Sequence, residues 1–338
     1  MITAKPLPAK QPGWQALWRE AIRDPLELLR VLGLESLGGR LGAQAQRDFP
    51  MRVPRGFVAR MAHGDPHDPL LRQVLPLADE ELRVTGFGVD AVGDLDAREA
   101  TGVLHKYHGR ALLIATGSCA IHCRYCFRRH FPYAEQTAAS GSWAHATATL
   151  AADPDLHEVI LSGGDPLALS TAKLGQLTEQ LREFGQLRRL RIHSRLPVVL
   201  PERVDDELLA WLRQLPWQCV LVIHANHANE IDAAVLDACV ALRAAGVSVL
   251  NQSVLLKGVN DSAASLIALS ERLFEAGVLP YYLHQLDRVQ GAAHFEVDDR
   301  RALELHAHLS ARLPGYLVPR LVREVAGAPA KLPLSTVG

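Results

Sequence analysis

Nowhere in its 338 residues does this sequence carry an apolar run of membrane-spanning length. A membrane-embedded protein is therefore not expected. The net charge of -1 leaves no surplus of Lys and Arg to neutralise phosphates, which argues against a dedicated nucleic-acid surface. The opening segment, Met1 to Pro8, lacks the apolar core of a signal peptide. A cytoplasmic protein with reduced thiols is the expectation. What remains, 48% apolar and 22% charged residues, is the composition of a soluble globular chain, long enough for one large domain or two ordinary ones.

Cysteine is scarce, with five in the whole chain, yet three of them fall within eight residues: Cys119-Ala-Ile-His-Cys123-Arg-Tyr-Cys126. Thiols this close cannot all be structural disulfides, because the bridge geometry forbids it. They can converge on a metal centre. Zinc is one reading, with His122 or His130 as a fourth ligand. An iron–sulfur cube is the other; it normally takes four thiolates, so three would leave one iron open to a small molecule. Cys219, in the apolar run Trp217 to Ile223, and Cys239, in a helical pattern, read as core residues.

The first hundred residues read as a mostly helical packing layer with nothing catalytic in it. Helical spacing runs from Trp14 to Leu32, broken by Pro25 and closed by Gly33, and shorter amphipathic pieces follow at Phe49–Ala62 and Asp68–Leu77. From Leu104 onward, short apolar runs alternate with helical stretches. The runs are Ala111–Thr116, Glu158–Leu161, Leu190–His193, Cys219–Ile223, Val247–Leu250 and Leu279–Leu283. Helices are expected at Trp143–Ala152, Thr171–Phe184, Asp205–Leu215, Asp232–Ala245, Ser262–Ala276 and Asp298–Arg312. Six strands, each followed by a helix, imply an α/β fold with a parallel sheet: a partial, open (βα)6 TIM-type barrel. The expected division is an N-terminal helical region (1–103), the barrel (104–315) and a short C-terminal tail (316–338).

Chemistry in parallel barrels gathers at the C-terminal ends of the strands. The cysteine loop follows the first run, Ser162-Gly163-Gly164-Asp165-Pro166 the second, and His193-Ser194-Arg195 the third. His224-Ala225-Asn226-His227, Asn251-Gln252-Ser253 and His284-Gln285-Leu286-Asp287 follow the remaining three. Gly163-Gly164 permits close backbone approach to a ligand, and is also an ordinary turn. Arg195 lies beyond its strand and is a ligand candidate, and His224 with His227 favours a polar pocket. By composition the tail around Lys331 is a flexible end with a solvated lysine.

Three cysteines at this spacing, with Tyr125 directly before the last, resemble the signature of the radical S-adenosylmethionine enzymes. The resemblance extends over about residues 50 to 333 to one branch, the lysine 2,3-aminomutases. It is carried by Leu104-His-Lys-Tyr-His-Gly-Arg110, Cys126-Phe-Arg-Arg129, Leu161-Ser-Gly-Gly-Asp165, Ser194-Arg-Leu-Pro-Val-Val199, Asn226-His-Ala-Asn-Glu230, Asn251-Gln-Ser-Val-Leu-Leu256 and Pro280-Tyr-Tyr282. The resemblance implies a [4Fe-4S] cluster on Cys119, Cys123 and Cys126. It implies S-adenosylmethionine held by Tyr125, Ser162, Gly163, Gly164, Asp165, His224 and Gln252. It implies pyridoxal 5'-phosphate near Lys106, Tyr107 and Arg110, with Lys331 as the Schiff-base lysine, which overturns the bland reading of the tail. Arg128 is expected to clamp the carboxylate of substrate lysine, and Asp287 and Glu324 to meet its ε-ammonium. Lys106 and Glu324 depart from the arginine and aspartate usual in longer members.

The chain ends soon after Lys331, and with Arg128-Arg-His-Phe-Pro-Tyr133 and Val289-Gln-Gly-Ala-Ala-His-Phe295 it looks like the shorter aminomutases that serve translation. Those convert (S)-α-lysine to (R)-β-lysine, which a partner ligase attaches to elongation factor P. Homo-oligomerisation is left open. Two other readings stand beside this one. In an aminomutase of another amino acid such as glutamate, Asp287 would repel the side-chain carboxylate. A non-catalytic iron–sulfur or zinc scaffold would need no set like Arg128, Asp287 and Lys331.

Overall fold

The computed structural model describes residues 13–137 and 143–335. The Met1–Pro8 segment, on which the targeting expectation rested, and the last residues of the tail lie outside these. The N-terminal layer starts with two helices, Trp14–Arg19 and Pro25–Leu32. Pro25 does not interrupt a helix; it occupies the first turn of the second one, where its missing N–H costs nothing. Asp24 caps that helix by accepting from the Leu26 N–H at 3.0 Å, and Gly33 ends it in the left-handed region at φ 68°. Leu28 and Leu29 are fully buried and tie the layer to the core; burying such a side chain contributes about 1.5–3 kcal/mol.

Ten strands form one sheet in sequential order: β1 (Arg98–Ala100), β2 (Val103–Tyr107), β3 (Arg110–Thr116), β4 (Glu158–Gly163), β5 (Arg189–His193), β6 (Gln218–Ile223), β7 (Ser248–Val254), β8 (Leu279–His284), β9 (Arg320–Arg323) and β10 (Leu332–Pro333). β1, β2 and β3 pair antiparallel, β3 to β9 run parallel, and β10 returns antiparallel to β9. β1 and β10 stay apart as edges, so the sheet is a partial barrel that does not close. All six expected strands are present as β3 to β8.

The helices after those strands cover Ala144–Ala151, Thr171–Leu181, Asp206–Arg213, Ala233–Ala244, Ala263–Glu275 and Asp299–Arg312. Ser170, Asp205, Asp232, Ser262 and Asp298 cap the last five, each side chain accepting from a backbone N–H three residues on. Such a cap is worth about 1 kcal/mol, and it fixes where the chain leaves a loop and enters a helix.

Three differences from the sequence reading bear on the site. β7 extends to Val254, so Asn251, Gln252 and Ser253 belong to a strand and not to the loop after it. The sheet also reaches back to Arg98 and forward to Pro333. The tail is therefore no flexible end: Leu321 and Val322 are buried, and Leu321 pairs with Leu283 of β8. Strands of two to four residues among small residues leave no alternation long enough to read.

Candidate active site

A cavity of about 550 Å3 opens at the C-terminal ends of the parallel strands, lined by the expected cluster, S-adenosylmethionine, pyridoxal phosphate and substrate residues and by Arg195, whereas His227 lies outside it and caps the turn Ala228–Glu230. At one end stand Cys119, Cys123 and Cys126, none in a disulfide. They open partly onto the cavity, yet lie deep enough that burial pushes the Cys119 thiol up and the Cys126 thiol up to about 11, neighbouring Cys123 adding to the second. Cys119 and Cys126 placed so would ionise only against a cation, which is what a metal cluster supplies. Among the described residues no three His, Cys, Asp or Glu side chains are grouped to hold a single ion. Three thiolates from one loop suit a cube, which gives each thiolate its own iron and leaves the fourth open. The set fits the cluster. Of the two offered zinc ligands, His122 is turned to the Pro50 carbonyl at 2.5 Å and His130 to the Gln290 carbonyl at 3.1 Å.

The loop is held by charge. Glu80, from the N-terminal layer, receives Arg124 Nη2 at 2.7 Å and Arg129 Nη2 at 2.8 Å, all three side chains nearly sealed from solvent. Arg195 Nη1 lies 2.6 Å from Cys123 Sγ, while its Nη2 donates to Gln73 Oε1 and Glu230 Oε2. Beside the loop, Tyr125 stacks on His224 with ring centroids 5.7 Å apart, and its hydroxyl meets His224 Nε2 at 3.0 Å and Asn226 Nδ2 at 2.7 Å. Burial, with Arg195 nearby, pulls His224 down to about 3, so it is neutral.

Gly163 and Gly164 allow a close approach, and the backbone they approach is the chain's own. A Cβ on Gly163 would lie 2.5 Å from the Thr116 carbonyl oxygen, and one on Gly164 2.5 Å from that of Ser118. The pair lets β4 lie against the strand that leads into the cysteine loop. Asp165 is likewise engaged: it accepts from Leu167 N, Ser194 Oγ, Arg195 N and Leu196 N, and burial still lifts its carboxyl to about 6. Its carboxylate shapes the turn after β5 more than it faces the cavity. Ser162 and Gln252 line the same wall.

Towards the β9–β10 end the cavity is a field of paired charges. Lys331 Nζ donates to Glu324 Oε2. Lys106 Nζ reaches Glu324 Oε1 at 3.2 Å, Asp94 Oδ1 at 2.6 Å and the Val92 carbonyl at 2.8 Å. Asp94 Oδ2 in turn accepts from Arg128 Nε at 2.6 Å, and Arg128 Nη1 donates to Ser162 Oγ at 3.1 Å. Burial alone would raise Glu324, but Lys331 and Lys106 hold it down at about 2. Burial, reinforced by Glu324, pushes Asp287 up to about 7. Tyr107 is raised by burial and by Glu324.

This end has the donors a phosphate-bearing aldehyde would use. Arg110 lies over the Tyr107 ring at 4.7 Å, has no ion-pair partner among the described residues, and keeps a buried Nε without a hydrogen bond. Two of the chain's six lysines, Lys106 and Lys331, line the cavity. Lys106 Nζ is engaged by the Val92 carbonyl, Asp94 and Glu324, whereas Lys331 Nζ meets Glu324 alone among the described residues. Of the two amines Lys331 is the less engaged, and the residues present fit pyridoxal phosphate.

Several contributors escaped the sequence. Asp94, 2% exposed, comes from the region read as packing alone and joins Lys106 to Arg128. Glu80 and Gln73 come from the same region. None sits at a strand end, so position gave no signal; the acidic run Asp79-Glu80-Glu81 was the only hint. His284 and His193 also line the cavity, each with a buried Nε2 that has no hydrogen-bond partner among the described residues.

Three cysteines in the loop after the first parallel strand of a partial barrel define a radical S-adenosylmethionine enzyme. The Radical SAM superfamily model matches residues 113–269. L-lysine 2,3-aminomutase of Escherichia coli K12 is 48% identical over 322 residues, covering 95% of this chain and 94% of that protein. The protein of the same name from Haemophilus influenzae Rd is 44% identical, covering 98% of both chains, and that of Clostridium subterminale is 32% identical over 94% of this chain and 77% of its own length. The chain belongs to the L-lysine 2,3-aminomutase family and is an isomerase of the radical S-adenosylmethionine class.

Proposed function

We propose that this enzyme converts (S)-α-lysine to (R)-β-lysine with pyridoxal phosphate carried on Lys331, and that the product serves β-lysylation of elongation factor P in the cytoplasm. The observation that carries the reading is the meeting of Cys119, Cys123, Cys126, Arg128, Asp287 and Lys331 around one cavity. When bound, the cluster with S-adenosylmethionine supplies a hydrogen-abstracting radical, and pyridoxal phosphate supplies the conjugated partner across which nitrogen moves. The chain's own residues bind and orient. Arg128 presents a guanidinium, the fork that suits a carboxylate, with Nη2 left without a hydrogen-bond partner among the described residues. Asp287 accepts the distal ammonium of lysine, whose charge favours the ionised carboxylate that burial disfavours. Tyr125, Gln252 and the backbone at Gly163 and Gly164 line the space where S-adenosylmethionine would meet the open iron.

The test is anaerobic incubation with S-adenosylmethionine, pyridoxal phosphate, dithionite and (S)-α-lysine, followed by chiral chromatography. (R)-β-lysine is expected. Release of 5′-deoxyadenosine without β-lysine would move the reading to another amino acid. Lys331→Ala should lose the bound pyridoxal absorbance with its iron content intact; unchanged pyridoxal binding would sink the Lys331 assignment.

A further inference from the structure

Glu324 and Lys331 are brought together by the backbone. Glu324 directly follows β9, Lys331 directly precedes β10, and the antiparallel register of Leu332 with Arg323 and Pro333 with Val322 continues into these two residues. Both carboxylate oxygens are then taken by lysines of the chain itself, one by Lys331 and one by Lys106, and the Glu324 side chain is 13% exposed. Lys106 is pinned on its other side by Asp94 and the Val92 carbonyl, so it holds Glu324 in place. Asp287, by contrast, has no side-chain hydrogen bond or ion pair among the described residues, although it lines the same cavity. The two acids at this end of the pocket therefore stand in different states before any ligand arrives: one is spent and one is open.

We propose that Glu324 is a positioning residue for Lys331, the fixed counter-ion of its Nζ, and that Asp287 alone is the free acceptor for the distal ammonium of the substrate. The proposal rests on the reading that Lys331 carries pyridoxal phosphate. A carboxylate in contact with Nζ favours a positive charge there whether the nitrogen is free or joined to the cofactor. It also keeps the released lysine side chain beside the site, where an unpaired ammonium would otherwise be drawn to Asp287 and compete with substrate. The charged and titratable groups that feel Lys331 are Glu324 after β9, Asp287 and His284 from β8 and the loop beyond it, and His193 on β5, while Lys106 and Tyr107 on β2 face the same Glu324. Among these, Glu324 alone contacts Nζ.

The experiment is a pH titration of the Lys331-linked pyridoxal absorbance in the cluster-loaded enzyme, recorded as a difference against the same protein without pyridoxal phosphate. In Glu324→Gln the midpoint for loss of the linked nitrogen's proton should fall by roughly 1–3 pH units, the scale of losing an opposite charge in contact. Glu324→Asp, which keeps the charge, should restore most of the fall. Lys106→Met, which removes the competing cation and leaves Glu324 intact, should shift the midpoint the other way, and it serves if Glu324→Gln does not fold. A Glu324→Gln midpoint equal to that of the unaltered enzyme, with lysine affinity lost, would overturn the proposal and assign Glu324 to the substrate. A linked absorbance missing even from the unaltered enzyme would instead overturn the Lys331 reading beneath it.

Discussion

Asp94→Asn changes one atom in the centre of the charge network, and its consequences separate binding from positioning. Asp94 is 2% exposed and its two oxygens face Lys106 and Arg128, each at 2.6 Å. Breaking a buried pair by removing one charge costs about 3–5 kcal/mol; the amide keeps the shape and one acceptor, so the lower end, about 3 kcal/mol, is expected in urea unfolding. For substrate binding two effects oppose each other. Arg128 must now be ordered by the ligand, at about 0.5–1.5 kcal/mol. It also becomes an uncompensated cation, which draws a carboxylate more strongly. These nearly cancel, so KM should move little. The rate has no such offset, because a carboxylate clamp misplaced by about 1 Å loses on the order of 100-fold. The pH response follows from the sign of the shift. Burial would raise Asp94, but Arg128 and Lys106 hold it below the ordinary range. Its stabilisation is therefore present above about pH 4 and lost as pH falls through the folded value; in Asp94→Asn that part of the acid sensitivity disappears. Steady-state kinetics and urea titration make the check, and an unaltered kcat together with an unaltered unfolding midpoint would refute the reasoning.

Asp287, pushed up to about 7 by burial and Glu324, has the opposite linkage. The folded chain holds its proton while the unfolded chain has lost it, so stability falls as pH rises from about 4 towards 7. Asp287→Asn should flatten that fall, whose ceiling is about 1.4 kcal/mol per pH unit, and should abolish a rise in lysine affinity over the same window, both followed by calorimetry. An Asp287→Asn enzyme with the original pH slope would count against a buried, unpaired carboxyl. Glu80→Gln strands Arg124 and Arg129, both nearly fully buried. It should cost about 3–5 kcal/mol and lower the iron bound per chain after anaerobic reconstitution; unchanged iron and unchanged stability would show that the cysteine loop does not depend on this anchor.

The strands that carry the barrel were legible because each is a run of buried residues ended by polar ones: β4 is buried throughout, and β6 is buried at Cys219 and from Leu221 to Ile223. The flanking strands were not. β1 and β10 have exposed or half-exposed residues at every position, and β9 has two buried residues in four, so no alternation marks them. The same contrast holds in the site. Cys119, Cys123 and Cys126 announce themselves by spacing, and Arg128 by following them. Asp94 gives no such sign, since an acid in Val-Gly-Asp94-Leu-Asp is the ordinary composition of a surface turn. Only its burial between two cations reveals the role. Gly163 and Gly164 were legible as a site of close approach, but the partner, the backbone from Thr116 to Ser118, is fixed by strand pairing and not by local sequence.

The charge balance of the cavity bears on which amino acid it takes. Glu324 is neutralised by Lys331 and Lys106, and Asp94 by Lys106 and Arg128, so these groups form a closed set. Outside it, without a hydrogen bond or ion pair among the described residues, stand Asp287, an acid, and the cations Arg110 and Arg320. Arg110 would suit the phosphate of pyridoxal phosphate in the function proposed above. Asp287 then seeks a cation, and the ammonium at the far end of lysine is one. A glutamate side chain would bring a second carboxylate to an acid already lifted to about 7 by burial and by Glu324. The unpaired acid thus selects for a second amino group on the substrate, and Asp287→Asn should relax that preference while leaving the cluster and Lys331 chemistry in place.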